Sequence, residues 1–143
     1  APQRPRFFIQ EIVMARATAH IGTDQYATTL HVAGRILTAD EPEDNDGKDA
    51  GLAPYDFLLS ALASCTAITL RMYADHKGWP LKAVDVALHF YRDGEKEIID
   101  RVVTLDGDFT PEQRERLLQV TERTPVTKTL KQGLTIATTL RGA

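Results

Sequence analysis

Apolar and polar positions alternate along much of this chain, and one long stretch breaks the alternation altogether. Residues 7–18 and 26–39 are rich in β-branched and apolar side chains with partial period-two patterning, which predicts two strands. Between them HIGTDQ (20–25) is a polar turn centred on Gly22, and Gly34 interrupts the second segment as a bulge or bend. The exception is FLLSALASCTAITL (57–70), which carries no charge. It sits in a helix that Pro54 opens where a missing N–H is harmless and that Lys77-Gly78 closes with a basic residue and a C′ glycine. AVDVALHFY (83–91) and residues 98–106 alternate as strands about a turn at Asp93-Gly94. Thr110-Pro111-Glu112-Gln113 is a capping box and predicts a helix from 111 to about 123. Thr124-Pro125 starts a short helix that ends near Gly133, and LTIATTL (134–140) closes the chain as a strand.

The predicted order is β-β-α-β-β-α-α-β. Hairpins with helices segregated between them predict an α+β fold, and 143 residues predict one domain over 1–143. The central helix is apolar on every side, and such a helix must be covered all round. One small sheet and two short helices leave its far face uncovered, so a homodimer is expected.

Composition narrows the function classes. The chain is 43% hydrophobic and 26% charged with net charge −3, and its basic residues form no stripe, which argues against a nucleic-acid partner. The uncharged run of 14 residues stops short of the roughly 20 that span a bilayer, so no membrane association is expected. APQRPRFF lacks a secretory apolar core, and a start at Ala1 fits removal of an initiator methionine, so the expected location is cytoplasmic. A single cysteine excludes an internal disulfide and fits a reducing compartment.

Little chemistry stands out by spacing. The loop DEPEDNDGKDAGLA (40–53) holds six acidic residues and reads as a solvated surface loop; it lacks the glutamate that closes a calcium loop. Asp40-Glu41 at its edge is read the same way. His20, His31, His76 and His89 form no metal-binding spacing, so neither metal nor cofactor is expected. Cys65 has Ala61, Leu62, Ile68 and Thr69 as helical neighbours, none able to ionise it, and a lone mid-helix cysteine is most often core packing. Trp79-Pro80 after the helix reads as a packing cap.

Two segments carry a resemblance. GLAPYDFLLSALASCTAITLRMYADHKGWPL (51–81) and TERTPVTKTL (121–130) resemble the OsmC/Ohr superfamily, in which a Gly-x-x-Pro motif opens a long apolar helix with a cysteine eleven residues after the proline. Pro54 and Cys65 match that spacing, and LTADEP (37–42) resembles an OsmC-like subgroup. The resemblance implies an OsmC-like fold with the central helices wrapped by sheet from both chains of an intertwined homodimer. It also implies organic hydroperoxide reduction, in which a first cysteine is oxidised to sulfenic acid and a second, in a Cys-Pro motif, resolves it as a disulfide. An arginine and a glutamate polarise the first thiolate.

Carried onto this chain, the first cysteine is Cys65. The resolving cysteine falls on Thr124 and the glutamate on Tyr55, with Asp56 one residue later; the arginine is Arg35, with Arg16 second. Two readings follow. One is a thiol-dependent peroxidase using Cys65, Arg35 and Asp56 with an external thiol as reductant, in an oxidative or osmotic stress response. The alternative is a non-catalytic module holding a small hydrophobic ligand at the dimer interface.

Overall fold

The computed structural model describes residues 12–142. The α+β class holds. The chain forms two compact units, Ala1–Asp56 and Phe57–Ala143.

The first unit is an antiparallel sheet of β1 (Ala17–His20), β2 (Thr28–Val32) and β3 (Arg35–Ala39), in that order. Where a single strand over 26–39 was expected, Val32 pairs with Arg35 across a two-residue turn. Ala33 and Gly34 both have positive φ, 52° and 73°, which gives the turn the twist a tight hairpin needs. Gly34 is therefore the corner of a hairpin and not a bulge within a strand. Of the expected strand over 7–18, residues 7–11 lie outside the described residues, and the observed strand begins at Ala17.

The acidic loop that follows is not simply solvated. Asp40 is only 2% exposed and accepts four backbone N–H groups: those of Tyr26 (3.0 Å), Glu41 (2.7 Å), Lys48 (3.3 Å) and Ala50 (3.1 Å). Burial alone would raise its pKa, but these donors outweigh burial and hold it below the ordinary 3.8. Net charge hid this role, because main-chain donors leave no mark on composition. Gly51 has to be glycine, since a Cβ there would overlap the Thr38 carbonyl.

The second unit holds most of α1 (Pro54–Lys77), the antiparallel ribbon β4 (Leu81–Asp93) and β5 (Lys96–Gly107), and the helices α2 (Pro111–Thr121) and α3 (Pro125–Gln132). Leu62, Thr66, Leu70 and Ala74, at four-residue steps, are the buried stripe of α1. By length and composition α1 is also long and apolar enough to cross a membrane, a test that buried core helices pass equally. It ends as expected, at Gly78 with φ 69°, and Trp79 folds back so that its N–H donates to the Ala74 carbonyl at 2.9 Å. The Trp79 ring meets Tyr73 edge-on at 5.6 Å.

Register pairs Val84 with Leu105, Val86 with Val103, Leu88 with Arg101 and Phe90 with Ile99, and these positions form the more buried face of the ribbon. The capping box of α2 is complete: Gln113 N–H donates to Thr110 Oγ1 at 3.1 Å, and Thr110 N–H donates to Gln113 Oε1 at 2.9 Å. The last expected strand is corrected. Residues 134–140 make no ladder with any described strand, and all are exposed. Alternation makes such a segment able to be a strand, but a strand also needs a neighbouring edge, and this one has none within the described chain.

Candidate functional site

Cys65 stands midway along α1, half-buried, one position before the buried stripe residue Thr66. Its Sγ lies 3.9 Å from Thr69 Oγ1, its hydrogen-bond contact among the described residues. Helical spacing puts Leu58, Leu62, Cys65 and Thr69 on one side of α1. Leu58 and Leu62 line a cavity of 640 Å³ within the second unit, together with Ile99 of β5 and Leu130 of α3. Its charged side mixes both signs: Arg101 and Lys131 with Glu97, Asp100 and Glu122. The volume is that of a small-molecule pocket.

The central polar group of this unit is one that sequence reasoning missed. The Arg101 side chain is 12% exposed and points inward from β5. Its Nη1 donates to Thr66 Oγ1 of α1 at 3.0 Å and to Thr127 Oγ1 of α3 at 2.9 Å. Its Nη2 donates to the Thr121 carbonyl at the end of α2 at 3.1 Å and lies 3.7 Å from Glu122 Oε1. One guanidinium thus ties a strand to all three helices of the unit. Its planar fork of donors suits that task where a lysine would not. A signal was present, because the period-two pattern puts Arg101 in phase with Ile99 and Val103 on the covered face.

Thr124, at the position the family resemblance gives to a second cysteine, belongs to the same network. It is fully buried, caps α3 by accepting from Thr127 N–H at 3.4 Å, and its hydroxyl meets that of Thr127 at 2.6 Å. Each hydroxyl bonded to Arg101 keeps a further partner: Thr66 donates to the Leu62 carbonyl at 2.7 Å, and the Thr127 hydroxyl is hydrogen-bonded to that of Thr124. At the rim, Lys131 Nζ bonds Glu122 Oε2 at 2.6 Å. That bond, aided by the Lys131 and Arg101 charges and opposed by partial burial, holds the Glu122 carboxyl below its ordinary 4.5.

The other expected residues lie in the first unit. Arg16 and Arg35 share a shallow hollow at the hairpin end of the three-stranded sheet, where Arg35 Nη1 donates to the Ala33 carbonyl at 3.1 Å. Asp56 serves the start of α1: its Oδ2 accepts the Ala53 N–H at 3.0 Å. Tyr55 is 59% exposed. Among the described residues no group of His, Cys, Asp and Glu is placed to hold a metal ion.

The sequence model for OsmC-like proteins matches residues 46–139, which include Pro54, Cys65, Arg101 and Thr124. Comparison with curated protein sequences gives no significant match. Among solved structures, an OsmC-like protein of Mycoplasma pneumoniae superposes with TM-score 0.70 at 19% identity, covering 83% of this chain and 88% of the other. An organic hydroperoxide resistance protein of Legionella pneumophila superposes with TM-score 0.62 at 16% identity, over 85% and 92% of the two chains. The organic hydroperoxide resistance protein OhrB of Bacillus subtilis does so with TM-score 0.59 at 17% identity, over 83% and 91%. At these identities the likeness is one of fold.

Proposed function

The chain belongs to the OsmC-like protein family, and on that footing we propose that it is a soluble, cytoplasmic, homodimeric one-cysteine protein of hydroperoxide defence, reducing apolar organic hydroperoxides through Cys65. The observation that carries this reading is the position of Cys65. It lies eleven residues after Pro54 on α1, half-buried instead of sealed in the core, on the same helix side as Leu58 and Leu62, the apolar wall of the pocket. The names of the Legionella and Bacillus relatives point the same way.

The chemistry balances with an external thiol. The Cys65 thiolate attacks a peroxide oxygen, an S–O bond forms and the O–O bond breaks. The alkoxide takes up a proton and leaves as the alcohol. Cys65 is oxidised by two electrons to sulfenic acid, and the peroxide is reduced. A small thiol then attacks the sulfenic sulfur, water leaves, and a mixed disulfide remains; a second thiol frees Cys65 and departs in a disulfide. Thr124 offers no sulfur for an internal resolving step.

A second reading keeps the pocket and drops the turnover. The contact of Cys65 with a neutral hydroxyl, and Tyr55 where the family has an acid, favour a module that binds a small hydrophobic molecule. One experiment separates the two. The protein is treated with cumene hydroperoxide, trapped with dimedone and followed by intact mass, with thiol-dependent peroxide consumption measured in parallel. A single dimedone adduct, absent with consumption in Cys65→Ser, supports turnover. No adduct at low peroxide, with consumption unchanged in Cys65→Ser, leaves the binding reading.

A further inference from the structure

We propose that the 640 Å³ pocket of the second unit selects uncharged apolar molecules over carboxylates, and that Glu122 is the residue that sets this preference. The inference rests on the reading of that pocket as the place where substrate binds, but it requires no turnover at Cys65. It follows from how the charges around the pocket are already engaged.

Leu58, Leu62, Ile99 and Leu130 give the pocket its apolar lining, and three acids and two bases join them. Each of the five has a partner within the chain. Glu97 accepts from Arg92 Nη2 at 3.1 Å, and Asp100 accepts from the Tyr91 hydroxyl. Glu122 stands between the two cations, with Oε1 3.7 Å from Arg101 Nη2 and Oε2 2.6 Å from Lys131 Nζ. Arg101 is further held by Thr66, Thr127 and the Thr121 carbonyl. Among the described residues no buried side-chain nitrogen or oxygen lacks a partner. A carboxylate that enters therefore finds no cation waiting for it.

It meets a negative charge instead. The Glu122 carboxyl is held below its ordinary 4.5, so it is ionised at neutral pH. To reach Lys131 or Arg101, an incoming carboxylate must displace Glu122 or share the cations with it, like charge beside like charge. Glu122 and Lys131 are 52% and 61% exposed, so water screens the repulsion and it acts as a bias. Desolvation adds to it, because the carboxylate gives up water against an apolar wall. An uncharged molecule meets neither cost. The ligand class is a neutral apolar molecule with one hydroxyl or hydroperoxy group, such as an alkyl or aryl hydroperoxide without an acid group.

The test reads binding alone, by calorimetry at neutral pH on the full chain, with two unreactive ligands of one chain length, n-octanol and octanoate. The wild type is expected to bind octanol more tightly. Glu122→Gln should tighten octanoate about fivefold and leave octanol unchanged. Glu112→Gln, at an exposed position of α2 outside the pocket, should move neither, which separates a local effect from net charge. A second measurement needs no variant: added salt should tighten octanoate relative to octanol, since it screens repulsion. Octanoate that binds as tightly as octanol, that loosens relative to octanol with salt, or that ignores Glu122→Gln would overturn the proposal. So would a wild type that binds no octanol. Peroxide consumption unchanged in Cys65→Ser would sink the catalytic reading and leave this binding result as it stands.

Discussion

Arg101→Met is expected to be the most destabilising single change in the second unit that leaves side-chain volume nearly intact. The substitution removes three hydrogen bonds from a guanidinium, to Thr66, Thr127 and the Thr121 carbonyl. Bonds to a charged donor contribute about 1.5–3 kcal/mol when the partner is orphaned. Here the two threonine hydroxyls keep other partners, so each loss is about 0.5–1 kcal/mol, while the Thr121 carbonyl loses its charged donor for about 1.5–2 kcal/mol. Relief from holding a buried guanidinium away from water offsets about 1 kcal/mol. The contact with Glu122 adds little, because that carboxylate is 52% exposed and its field is screened. The net expectation is a loss of about 1.5–3 kcal/mol, or roughly 5–10 °C in Tm for a chain of this size. Arg101→Lys keeps the charge and part of the bonding, and should fall between Met and wild type. Urea unfolding read by circular dichroism measures all three. An Arg101→Met midpoint equal to or above the wild type would refute the view of Arg101 as the tie between β5 and the helices.

Three other outcomes are expected. The Asp40 carboxyl has its folded pKa depressed, so the stability it contributes is complete above the unfolded value near 3.8 and is lost as pH falls through the lower folded value. Urea midpoints below about pH 4 should therefore fall more steeply for the wild type than for Asp40→Asn. Thr124→Ala removes the α3 cap and leaves Thr127 without its hydroxyl partner, which should cost about 1–2 kcal/mol in the same unfolding assay, whereas Thr124→Ser should cost less. With excess hydroperoxide and no thiol, the Cys65 sulfenic acid has no internal route to a disulfide; intact mass should rise by about 32 Da as sulfinic acid forms, and an equimolar small thiol should suppress that gain.

Where the sequence carried local instructions, the fold could be read from it. Pro54, Gly78, the Thr110–Gln113 box and Thr124-Pro125 each act within a turn of helix, and each element they bound ends within about two residues of where they place it. The hairpin at Ala33-Gly34 was less legible, because its turn lacks the usual Asn-Gly or Asp-Gly pair. Asp40 was misread for a different reason: its partners are main-chain N–H groups, which every sequence has. Arg101 was legible in phase only, since no pattern reveals that Thr66, Thr121 and Thr127 converge on it from three helices. Residues 134–140 show the limit most plainly, since a side-chain period describes one strand and a sheet requires two.

The manner in which Asp40 holds its loop also determines which positions there are free to vary. Tyr26, Glu41, Lys48 and Ala50 supply main-chain N–H groups, which any residue except proline can offer. A library randomised at Tyr26 and across this loop should therefore exclude proline at those four positions and accept broad substitution of their side chains. Glycine should return almost alone at 47 and 51, where a Cβ would overlap backbone, and aspartate at 40. A loop that composition marks as an acidic surface segment would then show, in its tolerance profile, three fixed letters among many permissive ones.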